Sequence, residues 1–350
     1  MDSVMTYKKS PGGGTSSVRD SNIELFRIIT MMLIVSHHFV VNSGLTSAEG
    51  PLYASPLSWR SLFLFVFGAW GKTGINCFVL ITGYFMCKSH ITWRKFAKLF
   101  FELMFYRIVI SSIFWLSGYE QFTLIGLIKV LIPVRNIGTG FTSAFWVFYL
   151  LIPFLNVAIQ NMKERQHLML IAWCSFTYVF LGTLPGFSVT MNYVSWFSVL
   201  YIIASYIRLY PKKIYRNTCF WGCMTIVCML LSIISVIASA WLGTKIDRNM
   251  AYYFVTDSNT FLAVVTGICS FMYFKNLKIG YNRFINMVAA STFGVLCIHA
   301  NSDTMRRWLW RDIVDVVEHY SYSFMPIYAI GSVFVIFVVC TIIDSLLTLG

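Results

Sequence analysis

Charge is scarce in this chain. Asp, Glu, Lys and Arg make up 12% of its 350 residues, against about a quarter in an ordinary water-soluble domain. Acids are the scarcer sign, 14 against 27 Lys and Arg. Polar stretches long enough to build a separate soluble core are missing as well, while 57% of the residues are hydrophobic and the mean hydropathy is +0.69. Together these exclude a soluble enzyme and predict one all-α, polytopic membrane domain over residues 21–350. The nine cysteines lie in or beside apolar runs, with no CxxC pair and no His at ligand spacing. They read as buried small hydrophobes, and no metal is expected. Internal repeats are also lacking, which counts against a transporter made of inverted halves. Residues 1–20 hold no apolar core, only a polar, Gly- and Ser-rich run. They predict a disordered cytoplasmic tail rather than a cleavable signal.

The net charge of +13 would suggest nucleic acid in a soluble chain, but here the cations are scattered through short connections between apolar runs. The lipid bilayer is the expected partner, and nucleic acid is not. Apolar windows of bilayer-crossing length fall at about 22–41, 60–87, 96–117, 143–160, 167–184, 192–209, 218–242, 257–274, 284–301 and 323–348. Placing the N-terminus inside puts Lys and Arg on the cytoplasmic connections over the outer ones by roughly two to one. That bias supports about ten transmembrane helices with both termini cytoplasmic. FTLIGLIKVLIPV, within 118–142, is too short to cross and predicts an interfacial or re-entrant helix. MRRWLWRDIVDVVEHY, at 305–320, mixes Trp with charge and predicts an interface-anchoring helix.

The first span, ELFRIITMMLIVSHHFVV, carries Glu24, Arg27, His37 and His38. Eleven residues make almost three whole helical turns, so Arg27 and His38 share one face about 16 Å apart, while His37 points roughly 80° away. Glu24 lies within pairing distance of Arg27. Structural readings stand beside functional ones: a headgroup-level ion pair, and interfacial histidines bonded to carbonyls. In the second span Lys72 lies near mid-membrane with Asn76 on the same face, and it could pair with Glu102 of the third. Arg107 and Glu102 could face one cavity. Gly71 and Gly74 allow a close neighbour. His299 ends the ninth span at the depth of the first-span histidines. An inner cation suits a phosphate-bearing donor, and an outer imidazole suits an acceptor hydroxyl.

At these residues the chain resembles the membrane acyltransferase-3 family, whose mark is an arginine, ten residues and a histidine in the first span. Here these are Arg27, IITMMLIVSH and His38, with Glu24 three positions before. GKTGINCFVLITGYF is similar to the family's second-helix signature, with Thr82 where Ser is usual; FWVFYLLIPFLN and STFGVLCIHAN resemble later segments. The likeness spans about 20–302 and is nearest to compact members that modify bacterial surface glycans. It implies O-acetylation of a capsule, O-antigen or exopolysaccharide hydroxyl at the plasma (inner) membrane. Acetyl-CoA would be the donor substrate, with no bound cofactor. The resemblance makes His38 the base and Arg27 the donor-positioning cation. Lys72 and Asn76 are donor-binding candidates, and Glu24, His37 and His299 supporting ones. The competing reading is a transporter or flippase of glycans or other polar solutes, whose intramembrane cations would line a path.

Overall fold

The computed structural model describes residues 20–134, 138, 140–187, 189 and 191–348. The expected tail, apart from its last residue, lies outside them, as does Arg135. Every regular element among the described residues is helical. The helices of eight residues or more are α1 (Ser21–Val41), α2 (Trp59–Gly68), α3 (Gly71–Met86), α4 (Trp93–Leu116), α5 (Leu124–Leu131), α6 (Phe141–Gln160), α7 (Glu164–Cys174), α8 (Tyr193–Leu209), α9 (Thr218–Lys245), α10 (Phe261–Asn276), α11 (Arg283–Ala290), α12 (Thr292–His299) and α13 (Met325–Thr348).

Among the described residues, six spans are long and apolar enough to cross a membrane: α1, α2 with α3, α4, α6, α9 and α13. Counting the bent pair Arg283–His299 and Asp303–Ile313 as one more makes seven. The remaining expected spans take shorter or interrupted forms. Residues 167–184 fall in α7, which continues through a π-helical stretch, Ser175–Phe180, to Thr183. Residues 257–274 begin as a turn, because Asp257, Ser258, Asn259 and Thr260 favour local bonding over helix; Thr260 N–H and Oγ1 both return to the Asp257 carbonyl. Residues 284–301 are broken at Ser291, between α11 and α12.

In lipid, helices associate through close packing rather than through expulsion of water, so small residues mark the contacts. α1 is the hub and packs on α2, α3, α10, α11, α12 and α13. Gly71 and Gly74 bring α3 against it: a Cβ on Gly71 would lie 2.3 Å from the His37 ring, and one on Gly74 2.9 Å from Ile34. Gly83 does the same for α3 and α8, where a Cβ would meet Ala204 at 2.9 Å.

α5, a short helix where an interfacial or re-entrant one is expected, has no buried side chain. Arg107, expected to face one cavity with Glu102, caps α5 instead. Arg107 Nε donates to the Val130 carbonyl at 3.0 Å and its Nη2 to that of Lys129 at 2.7 Å, a cation on the negative end of a helix. The Trp-rich segment, expected as one interface-anchoring helix, is divided among the short helical pieces Asp303–Arg307, Trp308–Ile313 and Val316–His319. It bends by 94° after His299 and folds inward; Trp310 is fully buried, with its ring edge-on to Phe39 at 5.8 Å. Arg306 pairs with Asp303 one turn before it, and Asp312 accepts from the hydroxyl of Tyr119, 193 positions away.

Because the α1/α3 contact leaves no room for a methyl group at Gly71, Gly71→Ala is expected to destabilise the protein by about 1–3 kcal/mol through overpacking. Thermal unfolding in detergent measures this.

Candidate active site

The C-terminal ends of α1 and α12 bring His38 and His299 together. His38 Nδ1 lies 3.0 Å from His299 Nε2, and His299 Nδ1 lies 2.6 Å from the Val295 carbonyl oxygen. A carbonyl only accepts, so His299 Nδ1 carries its proton and donates it to Val295. With both rings neutral, His299 Nε2 must then accept from His38 Nδ1–H. The remaining nitrogen, His38 Nε2, is left with a free lone pair. His299 is 0% exposed, whereas His38 is only half-buried. His38 can therefore meet a substrate, while His299 backs it from inside the bundle.

His37 does different work. Its Nδ1 donates to the Gly68 carbonyl at 2.6 Å. Gly68 ends α2 at the break before α3, so the ring braces that break. The 80° that separates the two histidines around α1 sends one to a backbone carbonyl and the other to a second imidazole.

α1 runs unbroken from Ser21 to Val41, which keeps Arg27 on the His38 face about 16 Å towards the N-terminal end of the helix. Arg27 Nη1 pairs with Glu24 Oε1 at 3.4 Å, and the Glu24 side chain is almost wholly buried. Lys72 does not take Glu102 as its partner: its Nζ donates to the Tyr193 hydroxyl at 2.8 Å and stands 5.5 Å from that ring's centre. It also lies within electrostatic reach of His37 and His38. Asn76 is fully buried with both ends of its amide engaged. Oδ1 accepts from Trp196 Nε1 at 2.9 Å, and Nδ2 donates to the Ser258 carbonyl at 2.7 Å. It ties α3 to α8 and to the turn before α10.

The arrangement is an imidazole with a fixed tautomer, a second imidazole behind it, and cations at two depths. A family model described as an acyltransferase domain, that of the acyltransferase-3 proteins, matches residues 20–344. The chain belongs to this family. No curated protein and no solved structure matches it. Membrane acyltransferase activity follows from that membership together with the apolar helices.

Two groups of this acyltransferase escaped sequence reasoning. Tyr193, the Lys72 partner, stands at the start of α8, and nothing in the local pattern singles it out. Arg306 lies within electrostatic reach of His38 and His299; in the sequence it reads only as one of several outer arginines. The signal available for it was its place four residues after the helix-breaking pair Asn301-Ser302 that follows the His299 helix.

Removing the His37 ring takes the imidazole donor from a buried carbonyl, so His37→Ala is expected to cost about 1–3 kcal/mol of stability. His38→Ala, which takes a donor from another side chain in a more open position, is expected to cost less. Comparing the two melting temperatures checks the division of roles.

Proposed function

We propose that this acyltransferase moves an acetyl group from cytoplasmic acetyl-CoA to a hydroxyl of an extracytoplasmic surface polysaccharide, with His38 as the base. The single observation that carries the reading is the free Nε2 of His38, left unprotonated by the hydrogen bonds that run through His299 to Val295.

In the proposed reaction the acceptor hydroxyl approaches His38 from the outer side and the thioester from the inner side. As the hydroxyl oxygen bonds to the thioester carbonyl carbon, His38 Nε2 takes its proton. His299 Nε2, facing His38 Nδ1–H, accepts a strengthened hydrogen bond from the imidazolium and holds the ring in place. Lys72 supports the oxyanion of the tetrahedral intermediate by its positive charge. Collapse breaks the carbon–sulfur bond, and the proton on His38 passes to the departing CoA thiolate. The acceptor gains an ester and CoA leaves as a thiol, so protons balance without any other reactant. Attack by His38 Nε2 itself, through an acetyl-imidazole, reaches the same products in two steps. Arg27 and its partner Glu24 lie at the mouth through which the donor would enter.

His38→Ala is expected to lower transfer by about 10²–10⁴-fold while the protein still inserts and elutes as a single species. Mass spectrometry of surface glycans from cells with and without the intact chain reads the reaction, as loss of one acetyl mass per modified repeat. Unchanged acetylation in the His38→Ala strain would remove His38 as the base, and unchanged glycan in cells lacking the chain would remove the acceptor class. His299→Ala is expected to reduce the rate less than His38→Ala, because the base remains but loses its fixed tautomer; initial rates in membranes measure the difference.

A further inference from the structure

Beneath Arg27, three cations that neither the motif nor the mechanism uses converge at the inner end of the bundle. Arg208 ends α8, Lys275 lies in the last turn of α10, and Arg216 closes the short 3₁₀ turn Lys213–Arg216. Lys275 lies within electrostatic reach of both arginines. Cytoplasmic Lys and Arg ordinarily extend towards headgroups, but two of these are drawn inward. Lys275 Nζ donates to the Asn276 side-chain oxygen at 2.9 Å and to the Tyr215 carbonyl at 3.4 Å. Arg208 lies over the Tyr84 ring, 4.7 Å from its centre, and Nη1 donates to that tyrosine's hydroxyl at 2.9 Å. Its Nε is buried and has no hydrogen-bond partner among the described residues.

No carboxylate pairs with any of the three among the described residues. Glu164, which lies near Tyr215, is taken by Lys212 at 2.5 Å and Tyr206 at 3.1 Å; these partners hold its carboxyl below the ordinary carboxylate range. The cluster is fastened to the reactive helix. Asn22 Nδ2 donates to the carbonyls of Phe274 at 3.0 Å and Lys275 at 3.1 Å, and Phe26 stacks on Phe274 with ring centres 4.6 Å apart. From the inner end outwards α1 therefore passes the cation cluster, then Arg27, then about 16 Å of apolar helix, then His38. An acyl-CoA has the same order of parts: phosphates, a long uncharged pantetheine arm, and the thioester.

We propose that Arg208, Arg216 and Lys275 form a phosphate site that takes the nucleotide end of the acyl-CoA donor. The inference rests on the donor reading above and adds residues and a subsite to it. Guanidinium groups supply forked donors to phosphate oxygens, and the lysine supplies a point charge. Arg27 then meets the donor further along, nearer the pantetheine arm.

The test is equilibrium binding to the full-length protein in phosphatidylcholine nanodiscs, using acetyl-CoA and S-acetylpantetheine, which lacks every phosphate. The intact protein is expected to bind acetyl-CoA at least about tenfold more tightly than S-acetylpantetheine. Arg216→Gln, at an exposed turn where folding is undisturbed, and Lys275→Gln are each expected to weaken acetyl-CoA about tenfold and to leave S-acetylpantetheine unchanged. Lys275→Arg restores binding. Unchanged acetyl-CoA affinity in both Gln variants, with the intact protein still preferring acetyl-CoA, overturns the site and leaves the donor reading standing. Failure of the intact protein to bind acetyl-CoA overturns both. Should the variants lose co-purifying phosphatidylglycerol while acetyl-CoA affinity holds, the cluster serves lipid headgroups and the proposal falls.

Discussion

A backbone carbonyl has lone pairs and no proton, and the protonation pattern of the histidine pair depends on that fact at Val295. The carbonyl assigns the proton on His299, His299 assigns the one on His38, and His38 Nε2 is left with its lone pair free. The carboxylate of a serine hydrolase fixes a histidine in a comparable way but adds a full negative charge. Here the backing group is neutral. It orients the His38 ring and would support its cationic form only through a hydrogen bond, which in the proposed reaction suits a proton that moves on to a thiolate.

The packing around α1 serves the same end. Glycine at 71 admits the His37 ring, and that ring donates to Gly68 at the break between α2 and α3. The break lies directly before Lys72, so bracing it sets where the ammonium lies relative to His38. Asn76, one turn further on, ties α3 to its neighbours through a buried amide. Buried polar groups that are fully partnered impose one arrangement on a membrane bundle whose apolar contacts alone are permissive.

Much of this was legible in the chain. Arg27 and His38 share a face because eleven residues close almost three turns, and an unbroken α1 preserves that arithmetic. The different fates of His37 and His38 follow from the same geometry, and the glycine pair announces a close helix contact. What the sequence could not express is which distant groups meet. Arg107 reads as an intramembrane charge but caps the carbonyls of α5, more than twenty positions away. Trp310 sits in a segment with the composition of an interfacial helix, yet a sharp bend after His299 turns it inward against Phe39. Local periodicity describes one helix at a time, and these contacts belong to how helices are arranged. The short helices α11 and α12 illustrate the same limit: hydropathy averages across Ser291, while the backbone stops there.

The two imidazoles of the pair come from positions separated by 261 residues, one on α1 and the other on α12. During synthesis, all of those residues must be made before His38 meets the partner that fixes its tautomer. The fixed tautomer comes into being only when α12 has been made and packed against α1. A chain that stops short of α12 is thus a bundle with its Arg27/His38 motif in place and the His38 tautomer unassigned, which in the proposed reaction ties the onset of chemistry to the completion of folding.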